Sequence, residues 1–130
     1  MFCTGISALA EKLKGKTKSI ILYETWARKE GSPTLAERGL TPDSMYKLIS
    51  EAYAKLAKTM NFTVSKVGAA FQKAVKEFPD TDLYDPDLTH PSLSGSSLAA
   101  LIHFKTLFGK LPENTSALEL SIELIESMAE

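Results

Sequence analysis

Apolar positions along this chain switch between helical and strand spacing. Ile6, Leu9, Ala10 and Leu13 recur on one helical face with polar residues between them, and Gly15 stands where a C-cap would, so a helix is predicted over 6–14. The run Ile20-Ile21-Leu22-Tyr23 is short and partly β-branched, which predicts a strand over 19–24, covered on both faces in a parallel sheet. Residues 25–39 mix Gly31, Pro33 and Gly39 with polar residues and read as a loop leaving the C-terminal end of that strand. Thr41-Pro42-Asp43 supplies an N-cap, a first-turn proline and an acid at the positive helix end; Met45, Leu48, Ile49, Ala52 and Leu56 then form one apolar face. A second strand is predicted over 62–67, followed by a helix opened by Gly68, with Phe71, Ala74, Val75 and Phe78 inward and Pro79 as its stop. After an Asp/Pro-rich loop over 80–91, Ser92 or Ser94 can cap a helix ending at Gly109, with Leu98, Leu101, Phe104, Leu107 and Phe108 on its buried side. A final helix is predicted over 116–128, with Leu118, Ile122 and Ile125 in register.

Helices alternating with strands predict an α/β fold with a parallel sheet. Two strands are few for such a sheet, so the pattern reads as the latter part of a larger one. At 130 residues the chain is long enough for a single domain, 1–130. With 44% hydrophobic and 24% charged residues, it has the composition of a folded globular protein, and its longest apolar run is far too short for a membrane span. Fifteen basic against sixteen acidic residues, without a dense basic stripe, argue against nucleic acid as a partner. One cysteine, Cys3, excludes an internal disulfide and a structural zinc site of cysteines.

Candidate chemistry concentrates in Asp82-Leu83-Tyr84-Asp85-Pro86-Asp87-Leu88-Thr89-His90-Pro91-Ser92. A neutral imidazole accepts a proton near pH 7, and a carboxylate within hydrogen-bond reach fixes its tautomer and steadies the imidazolium that forms. Asp87 and His90 are therefore candidates for an orienting acid and a general base, one half of an acyl-transfer site. The same residues can also be read as a surface turn, with Asp87 satisfying backbone groups. A third reading makes Asp82, Asp85, Asp87 and His90 metal ligands, although Pro86 limits how these carboxylates converge. Trp26 falls at the C-terminal end of the first strand, where open α/β sheets place ligand-binding groups and where a tryptophan can equally be packing. His103 lies inside a predicted helix and reads as a packed or half-exposed histidine. Cys3 is conceivable as a nucleophile partnered by His90.

These residues resemble the C-terminal portion of the SGNH, or GDSL-type, ester hydrolases over about 19–109. The carriers are Ile20-Ile21-Leu22-Tyr23-Glu24-Thr25-Trp26-Ala27-Arg28, Val67-Gly68-Ala69-Ala70-Phe71, and Asp87-Leu88-Thr89-His90-Pro91-Ser92 followed by Gly95. The resemblance implies a flavodoxin-like three-layer α/β/α sandwich of which this chain lacks the N-terminal half. It also implies hydrolysis of acyl esters of small molecules or carbohydrates, without metal or cofactor. His90 would be the base and Asp87 its orienting acid, with Trp26, Arg28, Leu88 and Thr89 on the pocket wall. The family's Gly-Asp-Ser block has no match here, nor do its oxyanion-hole Gly and Asn, so the nucleophilic serine is expected upstream. The alternative is a non-catalytic remnant or interaction module of the same fold. A lone pair of strands further predicts an unpaired sheet edge and self-association through it.

Overall fold

The computed structural model describes residues 2–130. Among them the order is α1 (Phe2–Leu13), β1 (Ile21–Glu24), α2 (Pro33–Glu37), α3 (Pro42–Met60), β2 (Thr63–Lys66), α4 (Val67–Glu77), α5 (Leu93–Phe108) and α6 (Ile122–Ser127). The two strands pair in parallel, Ile21 opposite Thr63 and Glu24 opposite Lys66. Parallel neighbours need a crossover, which α3 supplies. Its start is set by Thr41, whose hydroxyl accepts from the Ser44 N–H while the Ser44 hydroxyl accepts from the Thr41 N–H. Its end is set by Asn61, at φ 56°, a conformation asparagine tolerates better than most residues.

α4 leaves β2 without a turn, and Lys66 offers it no capping side chain. The buried Glu24 carboxylate does so from the end of β1, accepting the Ala69 N–H at 3.1 Å and the Tyr46 hydroxyl at 3.3 Å. Burial and the adjacent Glu24 push the Tyr46 hydroxyl up to about 12. Helix and strand end meet so closely that a Cβ on Gly68 would lie 2.2 Å from the Thr25 carbonyl oxygen. The core then forms beside this contact from Phe71 and Ala74 of α4, Leu83 and Tyr84 of the following loop, Leu98 and Leu101 of α5, and Leu124 of α6. α5 is bounded by the Ser92 hydroxyl, which accepts the Gly95 N–H, and by Gly109 at φ 73°.

Several sequence expectations are corrected. β1 is not covered on both faces: Leu22 and Glu24 are buried, whereas Ile21 and Tyr23 on the other face are 38% and 42% exposed. The segment expected to be loop contains α2, nucleated by Pro33 after Ser32. Leu48, Val75, Leu107 and Phe108 are exposed instead of buried, helical spacing alone not fixing how far a neighbouring element extends over a helix face. The last helix begins only at Ile122, with Ser121 accepting the Leu124 N–H, and Ile122 itself faces solvent. No helix among the described residues is long and apolar enough to cross a membrane.

Candidate active site

Between α4 and α5 the chain makes a closed turn at the C-terminal end of β1. Its base is an isolated antiparallel bridge between Tyr84 and Pro91. The Asp85 N–H donates to the His90 carbonyl at 2.8 Å, and the Ser92 N–H to the Leu83 carbonyl at 2.9 Å. Gly95 locks this base against α5, since a Cβ there would sit 2.1 Å from the Leu83 carbonyl oxygen. Tyr84 anchors it inward through its hydroxyl, which donates to the Ala27 carbonyl at 2.8 Å; burial raises that phenol to about 12.

At the tip, Asp87 organises three donors. Oδ1 accepts the backbone N–H groups of Thr89 at 3.0 Å and His90 at 2.9 Å, and Oδ2 lies 2.5 Å from His90 Nδ1. The His90 ring bond, followed by the two backbone bonds, lowers the Asp87 carboxyl to about 2, so the carboxylate is ionised at neutral pH. An ionised carboxylate can only accept, so Nδ1 carries the proton and Nε2 of the neutral ring is left as a base. The side chains are 74% and 50% exposed for His90 and Asp87, and the imidazole stands open to an incoming group.

The strand end holds the turn. The Trp26 indole N–H donates to the Thr89 carbonyl at 2.9 Å, Arg28 Nη1 to the Thr89 hydroxyl at 2.5 Å, and the Lys29 N–H to the Leu88 carbonyl at 3.0 Å. Trp26 is stacked on Phe71 with ring centroids 4.6 Å apart. Trp26, Arg28, Leu88 and Thr89, the wall residues implied by the resemblance, thus form one connected unit with Asp87 and His90. Asp85 joins this unit through its main chain alone, and the Asp82 carboxylate is engaged elsewhere: it pairs with Lys29 Nζ at 2.9 Å and accepts the Tyr84 N–H. Among the described residues, no group of three or more His, Cys, Asp and Glu side chains is arranged to hold a metal ion. Cys3 is exposed on α1, and no serine or cysteine among the described residues hydrogen-bonds His90.

A serine–histidine contact elsewhere in the fold escaped the sequence reading. Ser65 Oγ lies 2.7 Å from His103 Nδ1, with Thr106 donating to Ser65 at 3.4 Å and Tyr23 edge-on to the imidazole. Ser65 is wholly buried, at 0% exposure, so no substrate reaches its oxygen and the pair is a packing feature. Only β2 and α5 together create it, and no local spacing signals it. Glu24 was likewise missed as a cap, although a carboxylate ending an apolar run was a usable signal.

A solved structure from Slackia heliotrinireducens, described as a candidate SGNH hydrolase, superposes with a TM-score of 0.70 at 30% identity over 82% of this chain. The fold is SGNH-hydrolase-like. The chain spans 55% of the length of that protein. No family model and no curated protein matches the chain. The SGNH-like fold has its Asp87–His90 turn beyond the carboxyl end of a parallel strand, where open α/β sheets bind ligands.

Proposed function

We propose that this chain carries the acid–base half of an SGNH-type ester hydrolase site. The observation behind this reading is the Asp87–His90 pair, with Oδ2 on Nδ1 and Nε2 without a partner among the described residues. His90 Nε2 takes the proton of a serine hydroxyl as that oxygen attacks the acyl carbonyl, and returns it to the departing alkoxide. Asp87 holds the ring and stabilises the imidazolium. The serine and the oxyanion donors come from polypeptide outside the described residues, in keeping with the span of about half of the Slackia protein. Trp26 and Arg28 position the turn through Thr89, and with Leu88 and Thr89 they are read as the wall beside which an acyl ester of a small molecule or carbohydrate lies.

The test is hydrolysis of nitrophenyl acetate. The 130-residue chain alone should turn over negligibly, because a base without a nucleophile or oxyanion donors stabilises little of the transition state. The product of a complete reading frame that includes a Gly-Asp-Ser segment should turn over, and His90→Ala in it should lose about 10³-fold or more. Turnover indifferent to His90→Ala would overturn the assignment. No turnover in that longer chain would instead favour a non-catalytic module of the same fold.

A further inference from the structure

We propose that α1 and the lysines that follow it dock on an anionic lipid surface, with the helix lying in the plane of the headgroups. Phe2, Ile6, Leu9 and Leu13 recur at helical spacing and form one stripe of α1. None of them is buried, and Phe2, Leu9 and Leu13 are exposed. Contacts with α3 hold the helix along one flank, through the Phe2 and Tyr53 rings and the Ser7 hydroxyl against the Met60 sulfur. An apolar stripe left in water gains free energy from any cover that removes it.

Charge identifies the cover. Lys12, Lys14, Lys16 and Lys18 follow one another at every second position, and Glu11 is the one acidic residue between Phe2 and Ser19. All four lysines are exposed, and none forms an ion pair among the described residues. The helix dipole favours cations at the last turn, which accounts for Lys12 and Lys14; Lys16 and Lys18 lie beyond Gly15, where that field has faded. The adjoining end of α3, which meets α1 at Met60, adds Lys55 and Lys58 and has no acidic residue from Ala52 onward. Uncompensated ammonium groups beside an apolar stripe match a bilayer with anionic headgroups: the leucines and phenylalanine enter the acyl boundary while the lysine stems reach the phosphates. A nucleic-acid backbone would meet the charge and leave the stripe in water, and a second copy of the chain would bring like charges together. None of these residues belongs to the Asp87–His90 turn, so docking here stands independently of the proposed activity.

Co-sedimentation of the full chain with vesicles is the test, using phosphatidylcholine alone or with about one-third phosphatidylserine. Binding should be about tenfold or more tighter with phosphatidylserine, and should fall steeply between about 0.05 and 0.5 M salt. Replacing two lysines together, Lys16→Gln with Lys18→Gln, should weaken it about tenfold or more and leave binding to phosphatidylcholine unchanged. Leu9→Ser should weaken binding to the charged vesicles about fivefold. Every substituted side chain is exposed, so thermal unfolding of the variants should match that of the parent chain. Equal binding to the two kinds of vesicle, binding indifferent to Leu9→Ser, or no sedimentation with either would overturn the proposal. Self-association without lipid that Leu9→Ser abolishes would overturn it too, by assigning the stripe to a second copy.

Discussion

The turn from Leu83 to Gly95 and the helix α1 mark two extremes of the molecule. In the turn, Asp87 accepts three hydrogen bonds, the strand end supplies three more, and Gly95 is packed against backbone with no room for a methyl group. In α1 no residue is buried, and Gly5 has nothing within 4 Å of where a Cβ would stand. What attaches α1 elsewhere is slight: the Phe2 and Tyr53 rings at 4.8 Å, and the Ser7 hydroxyl 3.6 Å from the Met60 sulfur. A helix of this length is marginal by itself in water. The contrast shows that order in this chain is concentrated around the polar turn, with an amphipathic helix left almost unsupported at the other end.

Adding one methyl group at each extreme sharpens the contrast most. Gly95→Ala drives Cβ into the Leu83 carbonyl and should cost about 3 kcal/mol in urea unfolding, since backbone on both sides must move. Gly5→Ala should be neutral or stabilise by up to about 1 kcal/mol, as alanine for glycine does in an exposed helix. A loss below about 1 kcal/mol at Gly95 would show that the turn is softer than its packing implies.

Acid should act on the ordered part in two windows. Burial holds the His103 imidazole below its ordinary 6.5, so the unfolded chain binds that proton more readily. Stability should therefore be complete above about pH 6.5 and fall as the pH drops through the folded value. Asp87 is lowered from 3.8 to about 2, so its contribution is present above 3.8 and is lost as the pH falls toward 2. Thermal unfolding against pH checks both: His103→Phe should flatten the first decline and Asp87→Asn the second. Unchanged curves in either variant would reassign that window to another group.

The smallest effect belongs to α1. Leu9 is 60% exposed, and Leu9→Ser should shift unfolding by less than about 0.5 kcal/mol. A larger loss would mean that α1 is held by more than its own hydrogen bonds.

What could be read from sequence follows the same division. The turn, its caps and its acid–base pair are built from neighbours: Asp87 reaches His90 across three positions, and Ser92 and Gly109 mark the ends of α5 by local rules. The exposure of Ile21 and Tyr23 was not legible, because an apolar run looks the same whether one face or both are covered. Ser65 and His103 stand 38 positions apart and meet only through packing of α5 on the sheet, and Glu24 caps a helix 45 positions away. The fold class was legible from the alternation of periods, whereas the late start of α6 was not, since Leu118 keeps helical spacing with Ile122 without being in the helix.

Leu88 holds φ 62°, a left-handed conformation that leucine rarely adopts and that costs on the order of 1 kcal/mol. Its N–H is held by the Asp85 carbonyl and its carbonyl by the Lys29 N–H, so main-chain bonds keep it there whatever side chain it carries. Shape and surface are thereby separated at this position. An unbranched side chain of another size or polarity there would alter what the turn presents to its surroundings, while the carboxylate and imidazole beside it keep their register.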